Sequence, residues 1–491
     1  MLLNPDDFEA ARQARDARFD GRFFVGVLTT GIYCRPVCPV RVPKKENVQL
    51  YKTAAGAAAA GFRPCLRCRP ESSPGTPARS GASWKVSRAL QLIDQGFLDE
   101  GSVDELADQI EVGPRQLSRL FQTHLGASPV ELAQTRRLHF AKKLIDETSM
   151  PLSEICFAAG FGSVRRFNAV FAKTYQRSPK ALREKRKTNN KAADQEEGIQ
   201  ITLSFRPPFD WKSHLAFLAY RSIPGVEVVT ANSYGRTISL DGVAGHFIVE
   251  FADNSYQINV EIHYPESRQL YQIIDSIKSI FDLRADSEQV DNFLAKDKAL
   301  KPMVKQLPGL RVPGCWSGFE VAVRAILGQQ VTVKAASTLV SRIAERYGEA
   351  YDCAVEGLSH VFPEAEKLQR AKMDNMGIVT QRIAAIRAIA TLVAKDEMQI
   401  DCTVDTEEFI KNICSIKGIG EWTALYIAMR ALNDPNAFPY SDLILRRSVS
   451  SEELTPKQLL ARSEAWQPWR AYAVILLWKH YGTYVRAKPE T

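Results

Sequence analysis

Polar and apolar positions divide this chain into stretches with different periods. Up to about Arg186 the second fifth of the chain reads as helical, and the same order of elements occurs twice. Ser102 caps a helix over Val103–Ile110, Gly113 makes a turn, and Pro114 opens Arg115–Leu125 at a first helical position. About 50 residues later come Leu152–Ala159, a turn at Gly160, and Ser163–Tyr175, with Ser178-Pro179 closing the second unit as Ser128-Pro129 closes the first. Alternation replaces this period in Ile199–Phe205, Ile238–Leu240, Gly245–Phe251 and Ser255–Glu261, with a helix Trp211–Ser222 after the first, which predicts a small α+β subdomain. Helices then dominate: Gln269–Phe281, Gly318–Gly328, Val333–Tyr347, Thr380–Ala394, Asp405–Ile413, Glu421–Leu432 and Trp469–Tyr481.

With 491 residues the chain exceeds what one core supports, so three or four domains are expected. The breaks are the turn-rich segment 72–81 and the polar segment 183–198. Charge sharpens the division. Before and including Arg186 there are 29 Lys and Arg against 19 acidic residues, and after it 35 against 37, so the first part holds +10 and favours a polyanion such as nucleic acid. The start has neither a basic nor an apolar leader region, and no run of about 18 apolar residues occurs, so a cytoplasmic protein with no membrane partner is expected. Nine cysteines, four clustered and five scattered, suit a reducing compartment.

The clustered four are Cys34, Cys38, Cys65 and Cys68, two short-looped pairs separated by 26 residues. That is structural-zinc spacing, and metal binding can supply folding energy to so small a domain. The flanking Thr29-Thr30-Gly31-Ile32-Tyr33-Cys34-Arg35-Pro36-Val37-Cys38 and Ala60-Gly61-Phe62-Arg63-Pro64-Cys65-Leu66-Arg67-Cys68 resemble the metal-binding domain of Ada-type DNA alkylation sensors. The resemblance implies that Cys34 accepts a methyl group from a DNA phosphotriester while all four cysteines hold one zinc ion. Zinc keeps thiolates deprotonated, and methylating one of four takes the cluster from −2 to −1, weakening repulsion from phosphates.

The paired helical units resemble the AraC-type DNA-binding domain. If the second helix of each enters a major groove, Arg115, Gln116 and Arg119, then Arg165, Arg166 and Asn168, are placed to reach bases, with phosphate contact the competing role for each arginine. Promoter DNA, and RNA polymerase beside it, are the partners such a module implies.

Ile416-Lys417-Gly418-Ile419-Gly420-Glu421-Trp422 reads as helix, glycine turn, helix, in which Gly418 and Gly420 can take φ > 0 and bare a helix N-terminus to a phosphate. Asp442 lies 22 residues past Gly420, beyond Pro435 and Pro439, and can return beside the turn at a helix start. Together with Pro313-Gly314-Cys315, Arg324–Val331 and Trp466-Gln467-Pro468-Trp469-Arg470, this resembles the AlkA-type branch of the helix-hairpin-helix, Gly-Pro-Asp DNA glycosylases.

What that implies is hydrolysis of an N-glycosidic bond through an oxocarbenium-like sugar stabilised by Asp442, and an aromatic box of Trp422, Tyr426 and Trp478 for a flipped cationic base. Bifunctional relatives carry a Schiff-base lysine where Trp422 stands, so a monofunctional DNA-3-methyladenine glycosylase II type is expected. The close four-cysteine set of iron–sulfur members is missing after the hairpin, so no such cluster is expected. Gln330 stands at the turn position where the AlkA-type enzyme inserts a leucine wedge. Pro-Cys-His-Arg, the mark of the O6-alkylguanine transferase half of Ada-type proteins, does not occur. His214, His246 and His263 read as surface or core residues rather than chemistry.

The expected architecture is multidomain and mainly α with an α+β subdomain. It comprises a zinc and methyl-acceptor domain at 1–76, a double helix-turn-helix at 83–186, an AlkA-type N-terminal α+β subdomain at 199–298 and a helix-hairpin-helix bundle at 299–486. The competing function is a regulator whose glycosylase half only grips DNA. Retention of Asp442, the hairpin glycines and the aromatic residues favours the enzyme.

Overall fold

The computed structural model describes residues 5–75, 84–189, 198–253, 255–450 and 452–487. The linker residues at 76–81 and 190–197 lie outside the described residues. The chain forms two compact units: Met1–Pro207 with Ala252–Lys278 and Leu283–Ala285, and Pro208–Phe251 with Ser279–Asp282 and Asp286–Thr491.

In the first unit a small sheet has the strand order Val48–Tyr51, Phe24–Val27, Ile32–Cys34, Arg63–Pro64, elements too short for the period argument to predict. The first three strands are antiparallel and the last pair is parallel, with Tyr33 opposite Pro64. That parallel pairing carries Cys65 back to Cys34.

The helical repeat follows with boundaries within a residue or two of expectation. Val103–Gln109 and Pro114–Leu125 recur as Leu152–Ala158 and Val164–Tyr175. The buried Leu117, Phe121 and Leu125 reappear as Phe167, Phe171 and Tyr175, one stripe at i, i+4, i+8 in the second helix of each unit of the repeat. A 19-residue helix, Pro129–Glu147, joins the two and opens with a capping box of Ser128 and Glu131. The sheet domain rests on this helix: Tyr33 Oη lies 2.8 Å from His139 Nε2, and Arg69 reaches Glu147 at 2.7 Å. Burial pulls His139 down to about 4, so the imidazole is neutral. The antiparallel pair Ile199–Ser204 and Gln257–His263 belongs to the same unit, held where Glu147 accepts the Thr202 N–H at 3.0 Å.

In the second unit three antiparallel strands, Glu227–Val229, Ser233–Leu240 and Val243–Ala252, accompany the helices. Two of these depart from the expectation, since Glu227–Val229 was not predicted and Ile238–Leu240 is only the end of a longer strand. The reason is Arg236, which breaks the apolar alternation yet is buried and pairs with Glu320 at 2.7 Å. The core of the bundle is Gly318–Leu327, buried all round from Phe319 onward. It can lie so deep because a Cβ on Gly318 would meet the Ile400 carbonyl at 1.8 Å. Unpredicted short helices include Ser287–Leu294, Lys301–Gln306 and Pro456–Ser463, while Leu443–Ser448 is the helix expected to start at Asp442.

His214 is buried with Nε2 3.1 Å from the Ile280 carbonyl, His246 is buried, and His263 sits 2.6 Å from Glu261. Among the described residues no helix is long and apolar enough to cross a membrane.

Candidate functional site

Cys34 ends its strand, Cys38 follows a turn in which its N–H donates to the Arg35 carbonyl, and Cys65 N–H donates to the Tyr33 carbonyl at 3.0 Å. The four sulfurs therefore converge, all within 4.8 Å of one another, buried and without a disulfide. A tetrahedral ion with Zn–S bonds of about 2.3 Å needs sulfurs about 3.8 Å apart, so the donor set fits zinc. Arg35 fastens the knuckle by pairing with the buried Asp20 and by donating to the Cys68 carbonyl at 3.1 Å. Backbone amides then separate the four: Cys38 accepts from Val40, Cys65 from Cys68, and Cys68 from Arg35 at 3.4 Å. The leading interactions of Cys34 are with the other three cysteines. Exposure does not single it out, because all four are 6 to 7 % exposed.

Arg115, Gln116, Arg119, Arg165, Arg166 and Asn168 all stand exposed on the first two turns of Pro114–Leu125 and Val164–Tyr175. Ser163 caps the second helix by accepting from the Arg166 N–H, which leaves the outward face to the side chains.

In the second unit the hairpin is formed by Thr406–Cys414, the turn, and Glu421–Ala431. Gly418 has φ +99, but Gly420 does not share the left-handed region expected of it: it is extended, at φ −97, and serves as an N-cap without a side chain. A Cβ at Gly420 would meet nothing, so no internal packing demands glycine there. Glu421, the first helical residue, has its carboxylate bound by the Tyr440 hydroxyl, which ties the hairpin to the segment before Asp442.

Asp442 is the N-cap of Leu443–Ser448. Its Oδ1 accepts from the N–H groups of Ile444 and Leu445 at 3.0 and 3.1 Å, and the indoles of Trp478 and Trp422 donate to Oδ1 and Oδ2 at 3.2 and 3.1 Å. Every partner is a donor, and the carboxylate is fixed without being sealed in. Trp422 and Tyr426 stack in parallel, centroids 5.5 Å apart, and Tyr426 lies 6.3 Å from Trp478. The three rings and Asp442 line one groove with Gly418, Gly420 and Gln330. Its rim carries the exposed apolar side chains Val331, Val379, Leu443 and Ile444.

Gln330 is exposed with φ +54, a conformation costing a non-glycine residue of order 1 kcal/mol or more. The neighbouring Gln329 was missed by sequence reasoning: its amide donates to the Gly418 carbonyl at 3.0 Å and to Thr423 Oγ1 at 3.1 Å, joining the turn to the hairpin. Arg382, also missed, donates to the Gln329 carbonyl. Pro313-Gly314 proves to be a receptor for Arg430, whose Nε and Nη2 donate to the two carbonyls at 2.6 Å while Nη1 reaches Tyr426 Oη at 3.0 Å. Arg221 and Arg324 line the same groove. Arg324 lies in the Arg324–Val331 stretch, which by itself gave it no role, and an arginine without a carboxylate partner among the described residues has no local pattern to mark it.

Four family models match in succession: the metal binding domain of Ada at residues 7–71, a helix-turn-helix domain at 106–185, the AlkA N-terminal domain at 200–317, and the HhH-GPD superfamily base excision DNA repair protein at 323–471. A Mycobacterium tuberculosis (strain ATCC 25618 / H37Rv) protein named probable bifunctional transcriptional activator/DNA repair enzyme AlkA is 38% identical across 96% of both chains. The chain belongs to that bifunctional AlkA family. The DNA-3-methyladenine glycosylase 2 of Escherichia coli (strain K12) is 31% identical over 56% of this chain and 96% of its own. A solved 3-methyladenine DNA-glycosylase from Archaeoglobus fulgidus shares the fold, with a TM-score of 0.52 at 23% identity over 58% of this chain and 99% of that one.

Proposed function

We propose that the protein excises alkylated bases such as 3-methyladenine from double-stranded DNA, accepts methyl groups from DNA phosphotriesters, and binds promoter DNA. The observation that carries the glycosylase reading is Asp442, a carboxylate held by four donors at the mouth of an aromatic groove. As the C1′–N bond of a flipped nucleotide lengthens, positive charge grows on the sugar, and Asp442 stabilises it and orients the attacking water. The aromatic wall of Trp422, Tyr426 and Trp478 receives the base, and Gln330 fills the emptied stack. The uncapped turn at Gly418 and Gly420 takes a backbone phosphate. No lysine stands in the groove at position 422 to form a Schiff base, so the strand stays intact.

For methyl transfer, Cys34 is the nucleophile. Its place before Arg35-Pro36, in the stretch matched by the metal binding domain of Ada, supports that role. Zinc, held by Cys34, Cys38, Cys65 and Cys68, would keep the thiolates deprotonated. Arg115, Gln116, Arg119, Arg165, Arg166 and Asn168 read the promoter, where RNA polymerase is the further partner.

The test is release of free base from N-methylated duplex by the full chain and by Asp442→Asn, with nicking scored in parallel. The reading expects release lost in the variant and no nicking by either. Equal release by both proteins overturns the assignment of Asp442. Retained transfer from phosphotriester DNA by Cys34→Ala overturns that of Cys34.

A further inference from the structure

The helix Pro129–Glu147 joins the two units of the helical repeat, and its residues from Phe140 to Ile145 are buried without a break, Lys142 and Lys143 among them. Consecutive burial over more than one full turn means that every face is covered there. One face holds the repeat, and another holds the cysteine-bearing sheet through His139 and Glu147. The remaining cover comes from the stretch matched by the AlkA N-terminal domain, and it lies within the first compact unit. Tyr271 is its centre. Phe140 meets the Tyr271 ring edge-on with centroids 4.8 Å apart, and the Arg136 guanidinium lies 4.3 Å from the ring centroid. Further along the helix Lys143 donates to the Thr202 carbonyl at 2.5 Å, and Glu147 accepts the Thr202 N–H.

The ring of Tyr271 steadies a chain of contacts. Arg136 pairs with Asp99 at 2.5 Å, Arg137 pairs with the same carboxylate at 2.7 Å, and the turn at Gly160 closes onto it so tightly that a Cβ there would meet Asp99 Oδ2 at 2.3 Å. Gly160 has φ +81 and stands between Leu152–Ala158 and Val164–Tyr175, so its backbone aims the helix that carries Arg165, Arg166 and Asn168. The preceding helix is held directly as well, since Leu152–Ala158 packs on Ser267–Gln269 with the Arg268 guanidinium 5.4 Å from the Phe157 ring centroid. The first unit of the repeat closes on a core of its own, with Val86, Leu106, Leu117 and Phe121 in it, and meets the same cover at a looser contact, Arg284 lying 3.7 Å from Asp94.

A promoter reader complete in its own two units would need no such brace. Resting on the promoter-binding reading above, we propose that residues 199–204 and 267–278 are part of the promoter reader, with Tyr271 as a positioning residue that acts through Arg136 and Asp99 on the helix Val164–Tyr175. Joining the regulator to the glycosylase in one chain is then more than tethering. The regulator borrows a wall from the neighbouring domain, and discrimination among the base pairs read by Val164–Tyr175 depends on a tyrosine more than a hundred positions further along the chain than Arg136.

The experiment uses the full chain, before and after exposure to phosphotriester-methylated DNA, and a duplex library randomised over about 20 base pairs from which wild type selects its site. Arg115→Ala and Arg165→Ala then mark which positions of that site belong to the first and to the second unit. Affinities for the selected duplex and for single-base variants at both sets of positions are compared for wild type, Tyr271→Ala and Tyr271→Phe. The inference expects Tyr271→Ala to lower discrimination about tenfold at the second set and less than about twofold at the first, and Tyr271→Phe, which keeps the ring, to retain both. Discrimination is a ratio taken within one preparation, so a smaller folded fraction leaves it unmoved. Intact discrimination at the second set in Tyr271→Ala overturns the inference, as does an equal fall at both sets or an equal fall in Tyr271→Phe. A wild type that selects no site in either state removes the promoter reading and the inference with it.

Discussion

The cysteine knuckle and the aromatic groove each bring a few side chains together, from opposite ends of the chain's length scale. Four cysteines within 35 positions meet through one parallel strand pairing, whereas the groove gathers Arg221, Arg324, Gln330, Trp422, Asp442 and Trp478 from four separate helices and two turns. On the proposed reading the knuckle would owe its shape to an ion, whereas the groove owes its shape to a core. A site built by a ligand can be dismantled alone. A site built by packing falls only with its unit.

The largest expected effect tests that separation directly. Stripping the metal with a chelator removes a binding contribution of about 10 kcal/mol or more for a structural zinc, so residues 5–75 become protease-sensitive and phosphotriester transfer stops. Base release by the same sample continues. Loss of both activities together would erase the distinction.

Next comes Asp442→Asn, expected to lower base release about 10³-fold, ~4 kcal/mol in the barrier. Asn caps a helix as well as Asp does, so the thermal midpoint stays put and the loss is chemical. A lowered midpoint of similar size would mean that Asp442 serves packing.

Acid should strike both units by one device, a buried neutral histidine. Burial lowers His139 to about 4 and His214 to about 3, below the ordinary 6.5. Since the unfolded chain binds the proton first, the contribution is complete above pH 6.5 and shrinks as pH falls toward those values, by up to about 3 kcal/mol for His139 and about 5 kcal/mol for His214. Urea midpoints at pH 7 and pH 5 check this. The pH 7 to 5 drop should be smaller in His139→Gln and in His214→Gln, each variant being its own reference.

The smallest effect is at Gln330. Glycine there relieves the left-handed backbone and gains stability by about 0.5–1 kcal/mol, while base release slows because the stack is no longer filled. A midpoint that rises along with faster release would deny Gln330 a part in the reaction.

How much of this was legible in the sequence follows the same length scale. The cysteine spacing, the twice-used helical order and the Trp422–Tyr426 face are short-range regularities, and each led to an element found within a residue or two of its expected bounds. The strand around Arg236 was missed because its buried charge is matched by Glu320, 84 positions away. Gln329, Arg221, Arg324 and Arg430 escaped notice for a related reason. Their meaning lies in carbonyls and rings contributed by distant segments, and a lone polar residue announces no such partner.

Gln329 has a mechanical consequence. One amide group spans from the turn bearing Gln330 to the hairpin carbonyl at Gly418, so the probe and the clamp cannot slide past one another. On the proposed reading, a clamp seated on a phosphate would hold the probe at a constant offset from that grip, as the jaws of a caliper are held, so that one nucleotide would be tested per setting.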